Sequence, residues 1–154
     1  MKNKKVYALW ILLCQAVGAL AGFLSKDGIA VYQAGVKPAI SPPGAVFAAV
    51  WTVLYLLMGI GAARVTLTAP GIPRSRGLNL MVVQLAVNFC WPLLFFNLRV
   101  YAFALVWLLI LLALVVLMSV SFYRTDKKAG LLQIPYIAWL CFAAVLNNQA
   151  AMMK

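Results

Sequence analysis

Five apolar runs, each long enough to cross a bilayer, divide this chain, and neither of its two carboxylates, Asp27 and Asp126, lies inside one. A hydrocarbon core of roughly 30 Å takes about 20 helical residues to cross. The runs cover about 6–24, 44–66, 78–97, 101–123 and 129–152. Ser25, Lys26, Asp27 and Gly28 close the first, and the stretch "APGIPRSRG" closes the second. Lipid supplies no partners for backbone N–H and C=O groups, so uninterrupted runs of this length predict helices. The expectation is an all-α membrane protein, a five-transmembrane-helix bundle forming one multi-pass domain over 1–154. A chain that is 66% hydrophobic and 10% charged lies far outside the balance of a soluble domain. "MKNKK" ahead of an apolar segment and "GALAG" has the outline of a secretory leader. The run is longer than a leader's and four spans follow, so it reads as a retained first helix.

A net charge of +11 has three ordinary explanations: nucleic acid, anionic lipid or membrane topology. Placement decides among them. The cations lie between and beyond the apolar runs, with no basic helix face interleaved with aromatics, so no nucleic-acid partner is expected. Lys2, Lys4, Lys5, Arg64, Arg74, Arg76, Arg124, Lys127 and Lys128 fall on one side of five alternating spans. Lys26, Lys37, Arg99 and Lys154 fall on the other. In a bacterial-type inner membrane the positive-inside rule then predicts a cytoplasmic amino terminus, with the 25–43 connection and the carboxyl terminus opposite.

Several chemistries are excluded by what the spans lack. Cys14, Cys90 and Cys141 each sit in an apolar run, where a thiol acts as a small hydrophobe, and an odd number cannot complete a disulfide framework. With no histidine and no clustered Cys or Glu, no metal site and no obligatory cofactor are expected. An ion-driven carrier needs a group that changes charge at membrane depth, and no carboxylate is there to do it.

The spans do contain neutral polar and aromatic stripes. Gln84, Asn88 and Trp91 are spaced i, i+4, i+7, and Phe95 continues the same face. Pro92 clashes with the carbonyl of Asn88, which predicts a freed oxygen beside that amide. Gln84 and Asn88, each taken alone, read first as interhelical glue and second as part of a polar site. Trp51, Tyr55 and Met58 form a second stripe, and Trp139, Phe142 or Ala143, and Asn147 a third. Trp10 and Trp107 fit packing or interfacial anchoring. Pro38, Pro42 and Pro43 stiffen the approach to the second span, and Ser41 is placed to cap a helix starting near Pro42 or Pro43. Such a rigid connection loses little entropy in closing over a ligand. Gly18 and Gly22 form a G-x-x-x-G that allows close helix approach within one chain or between two.

Three segments, "KPAISPPGAVFAAVWTVLY", "QLAVNFCWPLLFF" and "PYIAWLCFAAVLN", resemble in order and spacing the hallmark segments of the TspO/translocator protein family, also called tryptophan-rich sensory proteins and peripheral-type benzodiazepine receptors. The resemblance runs from about residue 30 to 148. It implies a five-helix bundle, often a homodimer, that binds porphyrins, haem-type tetrapyrroles and drug-like aromatic ligands in a pocket under the first extramembrane loop. By position it assigns ligand contacts to Trp51, Asn88, Trp91 and Trp139, loop cover to Tyr32, Pro42 and Pro43, and pocket wall to Ala143 and Leu146. Trp51 and Trp139 would be the catalytic pair if the chain shares the light-dependent porphyrin breakdown linked to the family; facilitated transport is a third expectation. Two departures stand out. Ile40 replaces the aromatic common in the family's "W-x-P-P" segment, which implies a looser lid. "LNNQAAMMK" lacks the aromatic of the animal members' sterol motif, although Val120, Tyr123 and Lys127 match its loose pattern.

Overall fold

A computed structural model describes residues 2–153. Its helices are α1 (Lys2–Ala34), α2 (Gly44–Thr66), α3 (Ile72–Pro92), α4 (Tyr101–Thr125), α5 (Lys127–Leu131) and α6 (Ile134–Met152), with a π-helical turn over Leu93–Asn97 between α3 and α4. Five helical stretches are long and apolar enough to cross a membrane, the last combining α5 and α6. The chain is therefore an all-α, multi-pass membrane protein. α1 packs along α2, α3 along α4, and α4 along α6.

Helix ends depart from the sequence expectations for identifiable reasons. α1 does not stop at Ser25–Gly28 but continues to Ala34. Ser25 and Gly28 are buried, and a Cβ on Gly28 would meet the Phe96 carbonyl oxygen at 2.6 Å. Asn97 Nδ2 also donates to the Leu24 carbonyl at 2.8 Å. The polar cluster is thus a docking surface for the π turn rather than a terminator. α3 begins at Ile72, ahead of the expected 78, with a proline in its first turn where a missing N–H costs nothing. Its charged first turns continue the helix beyond the apolar run, and Arg74 Nη2 donates back to the Thr66 carbonyl at 2.8 Å.

Ser41 is not a helix cap. Pro43 occupies that position without any side-chain capping bond, and Pro42 and Pro43 have no amide hydrogens to offer. Instead the Ser41 hydroxyl pairs with Tyr32 Oη at 2.6 Å. Pro92 ends α3, and the backbone then widens into the π turn, with the Leu98 N–H reaching the Leu93 carbonyl at 3.0 Å. The neighbouring carbonyl that receives a side-chain donor is that of Val87, from Trp107 Nε1 at 2.8 Å.

At the amino-terminal end of the bundle, Trp10 Nε1 donates to Thr66 Oγ1 at 2.9 Å, tying α1 to the end of α2. Arg64 of α2 pairs at 2.5 Å with Asp126, the residue at the α4–α5 break. Their hydrogen bond, supported by the charge of the guanidinium, holds the Asp126 carboxyl below the usual carboxylate range. At the opposite end the 35–43 connection is stitched to the end of α1. Lys37 Nζ donates to the Gln33 carbonyl at 2.9 Å and to Gln33 Oε1 at 2.8 Å, and Gln33 Nε2 donates to the Pro42 carbonyl at 3.4 Å.

Candidate ligand-binding site

Three helical stripes meet around one cavity of about 290 Å³. α2 contributes Phe47, Trp51 and Tyr55, successive positions four residues apart and therefore on one face. α3 contributes Asn88, Trp91 and Pro92. The third wall is α1, where Gly18, Ala19, Ala21 and Gly22 keep the surface low and Gln15 and Ile29 bound it lengthwise. A Cβ at Gly18 would overlap the Tyr55 ring, so this glycine gives the tyrosine its place. Half of the G-x-x-x-G is thereby used within the chain. A Cβ at Gly22 would meet nothing within 4 Å.

The floor is a continuous polar relay through otherwise apolar core. Tyr55 Oη donates to Asn88 Oδ1 at 2.5 Å, and Asn88 Nδ2 donates to Tyr136 Oη at 2.6 Å. The Tyr136 hydroxyl in turn donates to Gln84 Oε1 at 2.7 Å. Gln84 Nε2 ends the chain on the thioethers of Met58 at 3.6 Å and Met81 at 3.4 Å. Gln84, Asn88 and Tyr136 are buried. The glue reading of Gln84 is therefore the structural one, while Asn88 both glues α2 to α6 and presents its edge to the cavity.

The five indoles divide by what their N–H groups do. Trp10 and Trp107 donate within the bundle, and Trp91 Nε1 donates to Asn147 Oδ1 at 3.1 Å while its ring stacks on Phe95 at 5.0 Å. Trp139 Nε1 is buried with no partner among the described residues. Trp51 Nε1 also makes no hydrogen bond there, but it is not a buried atom. These two indoles are neighbours, with ring centroids 6.4 Å apart and planes at 90°. Buried donors are almost always satisfied, so the orphaned Trp139 N–H calls for an explanation outside packing, and beside it the half-buried Trp51 has a donor still to offer.

The structure brings Trp51, Asn88 and Trp91 together on the cavity and leaves the other six assigned residues off it. Trp139 stands behind Trp51 and lines a shallow outward groove with Val50, Val53 and Leu54. Ala143 and Leu146 are buried in the packing of α6. Tyr32 sits edge-on to Phe95 and Phe96 at 5.4 and 5.3 Å, and Pro42 and Pro43 belong to the stitched connection. The α1 wall, Phe47, and the roles of Tyr55 and Tyr136 were missed in the sequence. The G-x-x-x-G was the only signal for α1.

A lysine-free, carboxylate-free hollow with one aromatic wall, a satisfied amide–phenol floor and a third wall of small residues suits a flat apolar guest. The sequence profile of the TspO/MBR family matches residues 10–153. The chain belongs to the TspO/MBR family. It is 37% identical over 151 residues to the tryptophan-rich protein TspO of Chlorobaculum tepidum, covering 94% of each chain. Over 143 residues it is 34% identical to protein CrtK of Rhodobacter capsulatus, covering 92% of this chain and 88% of that one. It is also 34% identical over 146 residues to the translocator protein of Homo sapiens, covering 92% and 86% respectively. Within this TspO/MBR chain the tryptophans named for the family thus fall into structural and unpartnered sets.

Proposed function

We propose that the chain is a membrane-embedded binding and sensing protein for tetrapyrroles of the porphyrin and haem type and for related flat aromatic molecules, acting as a homodimer with its amino terminus cytoplasmic. The observation that carries this reading is Trp51, an indole on the cavity wall whose N–H is unspent. A guest can lay an apolar face on the ring or offer an acceptor at the edge where the N–H points, each contact worth about 1 kcal/mol. Asn88 and Trp91 close the hollow below. Trp139 acts one ring further back, holding the plane of Trp51 by edge-to-face packing.

The same pair favours a second reading, photo-oxidative breakdown of a bound porphyrin in the presence of dioxygen. Indoles without hydrogen-bond partners, 6.4 Å apart, are placed for electron exchange with an excited guest and with each other. One experiment addresses both. Protoporphyrin titrated in the dark into purified protein should quench tryptophan fluorescence saturably, and Trp51→Phe with Trp139→Phe should weaken binding by about tenfold. Equal affinity in the double variant would sink the assignment. Under illumination the parent should form a defined product that the variant does not; identical bleaching in both rejects turnover and leaves binding alone.

A further inference from the structure

The cavity's lining grades from buried to exposed, and the grade locates its mouth. Tyr55, Asn88 and Trp91 on the inner side are buried, whereas Ala19 and Gly22 of α1 and Ala48 and Thr52 of α2 are exposed. No residue of the 35–43 connection lines the cavity. The exposed edge is the seam between α1 and α2. Its α1 side, Gln15 to Gly22, lies within the first apolar span, between the cations Lys5 and Lys26. At that depth an opening faces acyl chains rather than water.

Two features mark this seam as a passage. Gly22 presents open space where every other residue type would put a side chain. Gln15 Nε2 donates to the Thr52 carbonyl at 2.9 Å, a single exposed hydrogen bond spanning the two helices. The Thr52 hydroxyl is turned back onto its own helix, at 2.8 Å from the Ala48 carbonyl, and takes no part in the closure. No lining residue carries a formal charge, so a charged group would enter without compensation. A volume of about 290 Å³ is also at the low end of ligand clefts, roughly 300–1,000 Å³, and a tetrapyrrole needs the seam to part.

We propose that uncharged flat guests already dissolved in the bilayer enter sideways between α1 and α2, past Gly22, with the Gln15–Thr52 hydrogen bond as the latch that closes the seam behind them. The inference rests on the cavity being a ligand site. Carboxylates on a tetrapyrrole stay at the rim, and the ring edge without them goes in first. The stitched 35–43 connection, which does not line the cavity, is then no door.

The test uses full-length protein reconstituted in phosphatidylcholine vesicles and protoporphyrin dimethyl ester, an uncharged probe delivered from a second vesicle population, with rates read by tryptophan quenching. Gly22→Phe, which fills the mouth, should slow association and dissociation together by about tenfold, leaving their ratio nearly constant. Gln15→Leu, which removes the latch, should speed both by about threefold or more. Lys37→Ala, which loosens the 35–43 connection from the end of α1, should change neither rate by more than about twofold. Rates indifferent to Gly22→Phe and Gln15→Leu, or raised by Lys37→Ala, overturn the lateral entrance while leaving the site intact. Should Gly22→Phe abolish binding altogether, Gln15→Leu alone decides. Absence of saturable binding in the parent chain removes the site and the entrance with it.

Discussion

Asn88→Leu should destabilise the bundle by about 2–3 kcal/mol, more than any other single polar-to-apolar change in the spans. The leucine strips the acceptor from Tyr55 Oη and the donor from Tyr136 Oη, both in the buried core. Leaving a buried polar group unsatisfied costs about 1–3 kcal/mol, yet interhelical bonds inside membranes average nearer 0.6 because the unfolded chain finds other partners. Two bonds lost from one connected relay give the intermediate figure. Unfolding in mixed detergent micelles, followed by near-ultraviolet circular dichroism, reads the change. Asn148→Leu, on the exposed side of α6, should shift the midpoint by less than about 0.5 kcal/mol. Equal effects at the two positions would show that the relay contributes nothing.

Gly59→Leu should be larger still in its consequence for shape. A Cβ at Gly59 would lie 2.7 Å from the Ile11 Cα and 3.0 Å from its backbone nitrogen, and backbone does not swing aside as a side chain does. α1 must therefore lift off α2. Overpacking of this kind costs about 1–3 kcal/mol or more, and here it also separates two walls of the cavity. The variant should lose at least about 3 kcal/mol of stability and bind protoporphyrin more weakly than the parent. Gly22→Ala is the matched comparison on the same pair of helices. With no atom near its Cβ it should gain about 0.5–1 kcal/mol from helix propensity. A neutral Gly59→Leu would mean that α1 and α2 are not in close contact there.

The five spans were legible because lipid leaves the backbone no alternative to a helix, and composition alone marks where lipid is. Their ends were not. Ser25–Gly28 looks like a stop, but a polar cluster also serves as a contact for another element, and only the position of Asn97 distinguishes the two. Ser41 similarly had the composition of a cap while its partner, Tyr32, lay nine residues upstream near the end of α1. Helical period placed Gln84, Asn88, Trp91 and Phe95 on one face, and all four are buried. It could not say which stripe faces which. That depends on helix crossing, which puts Trp139 behind Trp51 and brings the small residues of α1, without any polar or aromatic marker, to the third wall. The spent or unspent state of each indole N–H is likewise a tertiary property, absent from any single helix.

The central claim is that the guest lies between α1 and α2 against Trp51, and a porphyrin bearing a short photoreactive arm reads it directly. After irradiation in vesicles and proteolysis, mass spectrometry should find the label in residues 15–29 of α1 and 47–55 of α2, and excess unmodified protoporphyrin should remove it. Competable label confined to the lipid-facing residues of α4, such as Phe103, Val106 and Ile110, with none on α1 or α2, would contradict the account.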